Sequence, residues 1–358
     1  MTAEFSIQHW FEDRADLRAD FLRQCGWQKA VLSPVGEDCA FRRYFRLVKE
    51  HSAAILMEAV PDGNALASPG HSIQEFVRIS GILRRADLHS PEIFAADIAG
   101  GYVLLEDFGD VSFKKALENG QDAEALYRLA TDVLLRLRDV SCDGLPDYYQ
   151  SHVHKGRQRI VDWYFPVKRK IKNPEGLVND YLAVWQQIEK SLPPCPQGFL
   201  HIDFHLENLM WMPDQNGLAQ GGILDFQGAM NGPIPYDLAN LLEDARHDIP
   251  LALRRSMIDR YCTDMGAAEK EIFENWYRVL ATQFHCRIAG QFIRLAVRDR
   301  KDRYLNHLPR VLHYLQEGLT HPVLAPLQQW FATQNIDFKV PPVLNPDEIK
   351  KFIRDDAF

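Results

Sequence analysis

Between Gly198 and Ala239 the chain gathers the residue types that phosphoryl chemistry needs. The run Gly-Phe-Leu-His-Ile-Asp-Phe-His-Leu-Glu-Asn-Leu-Met-Trp holds a His-x-Asp-x-x-x-x-Asn pattern: His201, Asp203 and Asn208. A second isolated carboxylate, Asp225, follows Gly-Gly-Ile-Leu. Transfer of a phosphoryl group to a hydroxyl needs a base or orienter for that hydroxyl, oxygen ligands for one or two Mg²⁺ ions, and a cover over the phosphates. Asp203 suits the first task, because a carboxylate beside the accepting hydroxyl orients it and can take its proton late. Asn208 can turn back as a neutral oxygen ligand. Asp225, at a predicted strand end, can bridge a hard cation to phosphate oxygens. His201 reads as a residue that holds the loop by hydrogen bonds. His205 and Glu207 lie inside the loop and face either substrate or solvent. Asp237, ahead of an apolar run, reads as a helix cap or a loop tie.

The elements that must position these groups are legible on either side. Ile7, Trp10, Phe11, Leu17, Phe21 and Leu22 recur at near-helical spacing over 4–25, with Gly26 as a stop. Strands are expected at Trp27–Leu32, Phe41–Val48 and Ala53–Ala59, with a turn at Ser33–Ala40 between the first two. The backbone N–H groups of that turn, around Gly36 and Asp38, can face anionic oxygens. A helix is expected over 72–86. A strand after Gly100-Gly101 should end at Leu105–Phe108, where backbone groups around Glu106 and Phe108 could meet an adenine edge. From residue 111 helical periodicity dominates: 122–139, 152–172, 176–190, 236–246, 250–265, 269–298, 303–318 and 322–334. A β-rich first third followed by helices, with one short β insertion at the central stretch, is an α+β arrangement.

The central stretch resembles the aminoglycoside phosphotransferase/choline kinase-like superfamily of small-molecule kinases, and the resemblance spans nearly the whole chain. Phe41-Arg-Arg-Tyr-Phe-Arg, Leu104-Leu-Glu-Asp-Phe-Gly and Arg303-Tyr-Leu-Asn-His-Leu-Pro-Arg-Val-Leu-His-Tyr-Leu also resemble the bacterial anomeric N-acetylmuramate/N-acetylglucosamine kinases of cell-wall recycling. The resemblance implies a bilobal, protein-kinase-like fold, with a nucleotide-covering lobe at 1–107 and a helical catalytic and substrate lobe at 108–358. It implies ATP and Mg²⁺ as cofactors, Asp203 as catalytic base, and Asn208 and Asp225 as metal ligands. Gly36, Asp38, Arg42, Arg43, Glu106 and Phe108 are the expected nucleotide contacts. The acceptor would be a small sugar.

One departure from the kinase pattern stands out. The third strand, Ala54-Ile-Leu-Met-Glu, carries Met57 where such folds place a Lys on the phosphates. Arg42 or Arg43 could supply the positive charge, and Glu75 is the helix residue placed to partner it. A binding protein that has lost catalysis is the alternative this departure raises. Arg157 and Trp163, with Arg159 and Tyr164, suit a sugar that carries a carboxylate, through guanidinium pairing and ring stacking. They argue against a cationic acceptor such as choline or an aminoglycoside.

The bulk composition sets further bounds. The chain has 358 residues, 46% of them hydrophobic, and a net charge of −8, which argues against a broad nucleic-acid surface. Six scattered cysteines without a C-x-x-C pair suggest free thiols rather than a disulfide framework or zinc site. No basic-then-apolar leader and no run of about 18 apolar residues is visible. A cytoplasmic enzyme with no membrane, nucleic-acid or obligate protein partner is expected.

Overall fold

The computed structural model describes residues 10–12, 14–37, 42–67, 72–342 and 345–354. The chain packs into two compact units. The first comprises the residues up to 141 together with 201–229; the second comprises 142–200 and 230 onward. The central stretch therefore packs with the N-terminal sheet.

In the first unit a helix, α1 (Ala15–Gln24), precedes a five-stranded antiparallel sheet: β1 (Val31–Glu37), β2 (Arg43–Lys49), β3 (Ser52–Glu58), β4 (Ile93–Asp97) and β5 (Tyr102–Leu105). The strand order is β1-β2-β3-β5-β4. Gly26, at φ +75°, ends α1 as expected. The first strand differs from expectation. It begins four residues later, at Val31, and runs on to Glu37 through what the sequence marks as a turn. Pro34 is tolerated there because β1 lies at the sheet edge, and the ladder shifts register between Pro34 and Gly36. Asp38 lies outside the described residues.

Period-two alternation sorts the sheet into two faces. Leu47, Ala54, Leu56, Tyr102 and Leu104 pack with Phe21 and Leu22 of α1 in one core cluster. Tyr44, Arg46, Ile55, Met57, Val103 and Leu105 occupy the alternate positions and face the other way. Helix α2 (Ile73–Arg85) follows, within the expected span. The Ser72 hydroxyl accepts the Glu75 N–H at 3.1 Å, and the Asp62 carboxylate accepts from the Ser72 hydroxyl at 2.7 Å and the Ile73 N–H at 3.2 Å. Two further helices complete this part of the unit: α3 (Phe113–Glu118), which the periodicity did not mark, and α4 (Ala123–Leu137), which it did.

The second unit is mainly helical: α5 (Leu177–Ser191), α6 (Pro235–Leu242), α7 (Leu251–Tyr261), the 33-residue α8 (Ala267–Asp299), α9 (Leu308–Gly318) and α10 (Ala325–Thr333). Strands β6 (Gln197–Leu200) and β9 (Met230–Pro233) form a two-stranded ribbon in it. The expected continuous helix over 152–172 is broken into a short helix at His152–Lys155, a 3₁₀ turn at Gly156–Gln158, a π-turn at Ile160–Tyr164 and a helix at Phe165–Arg169. Pro166 has no N–H to give Asp162, and the ladder adapts by bonding the Phe165 N–H to the Ile160 carbonyl, five residues back. Among the described residues no helix is long and apolar enough to cross a membrane.

Candidate active site

The central stretch enters the first unit at His201 and is folded back on itself by the ribbon β7 (Leu209–Trp211) and β8 (Gly221–Ile223). The apolar residues of the loop anchor it: Phe204, Leu206, Leu209 and Ile223 are all fully buried. His201 is 1% exposed. Its Nε2 lies 2.8 Å from the Leu224 carbonyl, and its Nδ1 accepts the Asp203 N–H at 3.3 Å. Burial pulls its pKa down, so it sits as a neutral imidazole donating from Nε2. One ring thus ties the residue before Asp225 to Asp203 itself. A second tie runs beside it, since the Leu224 N–H donates to the Asn208 carbonyl at 2.9 Å.

Against this buried frame two carboxylates stand out. The Asp203 side chain is 53% exposed, and Asp225 is exposed as well. The Asn208 amide donates to the Asp203 carbonyl oxygen at 2.9 Å and to its carboxylate at 3.3 Å. It also lies 3.2 Å from His205 Nε2, which is 3.5 Å from the Asp203 carboxylate. The amide nitrogen is therefore committed inward, and its oxygen is the atom left to act as a ligand. Asp225 adopts a left-handed backbone, φ +58°, and accepts from the Gln227 amide at 2.5 Å. Ile202 holds φ +80°, a conformation that costs a β-branched residue on the order of 1–3 kcal/mol and persists only where the surroundings impose it. Two oxygen donors, one of them charged, fit Mg²⁺, which takes few protein ligands and completes its shell with phosphate and water. Among the described residues no group of three or more His, Cys, Asp or Glu side chains forms a metal cage.

The remaining candidates fall into place around or apart from this centre. Glu207, its side chain 36% exposed, pairs with Lys114 at 2.6 Å. The Glu106 carboxylate meets His89 at 3.2 Å and the Glu92 N–H at 3.1 Å. Phe108 is buried, edge-on to His89, and lies so close to Gly222 that a Cβ there would come within 2.8 Å of its ring. The Phe108 side chain thus braces β8, and the Glu106 N–H is itself taken by the Glu92 carbonyl at 2.9 Å. Phe226, directly after Asp225, stacks on Phe76 of α2 at 4.9 Å, fixing that turn to the helix.

The two arginines of the sheet part company. Arg43 lies on the α1 face, where it pairs at 2.8 Å with Glu58, itself fully buried and also held by Arg18 at 3.1 Å. Arg42, just before β2, is 2% exposed. Glu75 bonds Arg78 on its own helix at 2.6 Å. Sequence reasoning missed Arg46, which faces away from α1 and binds Asp107 at 2.6 Å and Asp110 at 2.9 Å. The signal was present in Arg-Arg-Tyr-Phe-Arg, whose alternation puts Tyr44 and Arg46 on one side. Of the proposed acceptor contacts, His205 lies in the loop. Arg157 and Trp163 belong to the second unit; Trp163 is 1% exposed and offers no open ring face for stacking.

Residues 31–271 match the family model described as the phosphotransferase enzyme family. The chain belongs to this family. It is 30% identical over 349 residues to the N-acetylmuramate/N-acetylglucosamine kinase of Caulobacter vibrioides, covering 89% of this chain and 96% of that one. It is 32% identical over 323 residues to the protein of that name from Pseudomonas aeruginosa, with 86% and 90% covered. Among solved structures, choline kinase from Cryptosporidium parvum superposes with a TM-score of 0.56 at 12% identity, covering 88% of this chain and 99% of the other. An ADP-bound aminoglycoside phosphotransferase does so with a TM-score of 0.55 at 12% identity, covering 85% and 98%. The phosphotransferase thus has the kinase-like α+β fold, and its family membership makes it a small-molecule kinase.

Proposed function

We propose that this phosphotransferase moves the γ-phosphoryl group of ATP to the anomeric hydroxyl of N-acetylmuramate or N-acetylglucosamine, as a cytoplasmic enzyme without an obligate protein partner. The observation that carries the reading is the pair of exposed carboxylates, Asp203 and Asp225, on a stretch otherwise pinned by His201 and Asn208. Asp203 orients the attacking hydroxyl and receives its proton, with His205 beside it. Asn208 and Asp225 hold Mg²⁺, which neutralises charge on the phosphates when bound. Backbone atoms at 105–108 meet the base, and Gly36, near the end of β1, is assigned to the phosphates, the expectation for Asp38 lying outside the described residues. Arg43 is engaged by Glu58 and Arg42 is 2% exposed, which counts against either as the source of positive charge for the phosphates. The nucleotide-covering part is assigned to 1–107 and the catalytic and acceptor part to 108–358. The names of the relatives support the acceptor.

A coupled ADP-release assay over N-acetylmuramate, N-acetylglucosamine, other hexoses, choline and aminoglycosides tests the reading. Turnover confined to the two N-acetyl sugars, with an anomeric phosphate in the phosphorus NMR spectrum, is expected. Turnover on choline or an aminoglycoside instead would overturn it.

A further inference from the structure

Residues 86–92 carry the chain from α2 to β4, and one side chain in this turn touches two segments that the proposed nucleotide site uses. His89 is 10% exposed. Its Nδ1 lies 2.7 Å from the carbonyl of Ala219, in the turn Gly217–Gln220 that precedes β8. Its Nε2 lies 3.2 Å from the carboxylate of Glu106, just after β5. Its own carbonyl accepts the Ile223 N–H at 2.7 Å. The Phe108 ring stands edge-on to the imidazole at 4.6 Å and fills the space over Gly222. All of these residues belong to the first unit.

The turn that carries His89 is itself held firmly. The Ser80 hydroxyl donates to the Pro91 carbonyl at 2.7 Å, and the Ser90 hydroxyl donates to the Ser80 carbonyl at 3.0 Å. Arg84 donates to the Ser90 carbonyl at 3.0 Å. Glu92 and Glu106 close a reciprocal pair: the Glu106 N–H donates to the Glu92 carbonyl at 2.9 Å, and the Glu92 N–H to the Glu106 carboxylate at 3.1 Å. Two segments are fastened to this block. One is 106–108; the other is β8, whose Ile223 lies two residues before Asp225. His89 bonds to both.

Both ring nitrogens face oxygens that only accept, a carbonyl and a carboxylate. A neutral imidazole has one N–H and serves one of them; the protonated ring serves both. The bond from Glu106 raises the His89 pKa above its ordinary value, against the opposing effects of burial and the Arg84 charge. Glu106, after β5, and Arg84, on α2, are the charged groups that face the ring, and Glu92 meets Arg84 at 3.6 Å. The Gly217–Gln220 turn and β8 bring no titratable side chain.

Resting on the proposed function, we infer that His89 is a positioning residue for the nucleotide, fixing the loop at 106–108, assigned to the base, against the ribbon that leads to Asp225, assigned to the metal on the phosphates. A nucleotide joins these two ends over a set length, so it binds best where their separation is fixed in advance. His89 acts through Glu106 and β8, not on the reacting atoms. When the ring gives up a proton it keeps one of its two bonds, and 106–108 is released from the ribbon. Affinity for the Mg²⁺-nucleotide therefore falls as pH rises through the folded value of His89.

Calorimetry with ADP and Mg²⁺ on the full chain tests this, with wild type, His89→Asn and Glu106→Gln compared from about pH 6 to about pH 9. Ionisation of the nucleotide is common to all three and cancels in the ratio of Kd values. At the acid end His89→Asn should bind about tenfold more weakly than wild type, the loss expected for one hydrogen bond between charged groups. The ratio should approach one at the alkaline end. Glu106→Gln keeps an acceptor for the ring without the charge, so its affinity should fall away at a lower pH than that of wild type. A ratio that does not change with pH, as a general packing defect gives, overturns the role; so does a ratio within about twofold of one at the acid end. If His89→Asn does not fold, the Glu106→Gln midpoint is read alone, and a midpoint equal to that of wild type overturns the role. Sugar turnover is read separately. If neither N-acetyl sugar is phosphorylated while the ratio varies with pH, the proposed acceptor fails and the positioning role stands. If both are phosphorylated while the ratio is flat, only the positioning role fails. No heat from ADP and Mg²⁺ in the wild type overturns both.

Discussion

The candidate catalytic stretch and the five-stranded sheet handle charge in opposite ways. At 201–228 the backbone and buried rings are tied to one another, and the carboxylates of Asp203 and Asp225 are left outside. In the sheet the charges are tied to each other: Glu58 is sealed between Arg18 and Arg43, and Arg46 is locked to Asp107 and Asp110. Exposed charges on a rigid frame are available for chemistry and add little to stability. Buried, paired charges hold the fold and are not free to act. Substitutions should therefore separate function from stability between these two regions.

The largest separation is expected at Asp203. Asp203→Asn should lower turnover by about a thousandfold in the ADP-release assay, while the thermal melt and ATP affinity stay near wild type. Near-normal turnover would take the orienting role away from this residue. Next comes Glu58→Ala, which strands two arginines and should cost about 3 kcal/mol of stability, read by urea unfolding. A loss of nucleotide affinity without a loss of stability would break the distinction from the sheet's side.

Asp225→Ala should weaken Mg²⁺-dependent nucleotide binding on the order of a hundredfold by calorimetry, with little change when Mg²⁺ is omitted. Equal affinity in both variants would remove it from the metal site. The smallest effect is a pH dependence. The bond from Glu106 raises the His89 pKa, and although burial pushes the Glu106 carboxyl up, His89, the Glu92 amide and Arg84 outweigh it and hold it below its usual range. A raised histidine contributes stability that is full below its unfolded value, about 6.5, and is lost as pH rises through the folded value. A lowered carboxylate contributes above its unfolded value, about 4.3, and loses that contribution as pH falls through the folded one. The melting-temperature gap between wild type and His89→Asn should thus be widest between those two values and shrink by pH 8. A gap that grows toward pH 8 would show that the pair is not what sets it.

What the sequence made legible follows the same division. The His201–Asp203–Asn208 spacing and the later Asp225 mark the candidate loop because the chemistry proposed for it depends on a few residues at short range. The antiparallel sheet, α2 and the long helices were legible from their periodicity. The extent of β1 was not, because Pro34 reads as a breaker unless the strand is known to lie at an edge. Arg42 and Arg43 are adjacent in sequence, and only the burial of Glu58 shows which of them is engaged there. Trp163 read as a stacking platform, but the π-turn forced by Pro166 carries it into the core. The packing of 156–159 on α8 was hidden for another reason: it joins residues more than a hundred positions apart, Gly290 lying against the Arg159 backbone and Gly156 against the Arg287 side chain.

The double tie from Leu224 to His201 and Asn208 has a practical side. Because both ends of the β7–β8 ribbon are anchored next to the acidic pair, the exposed tip at 213–217 is mechanically decoupled from it. That tip is a natural splice point for a peptide tag.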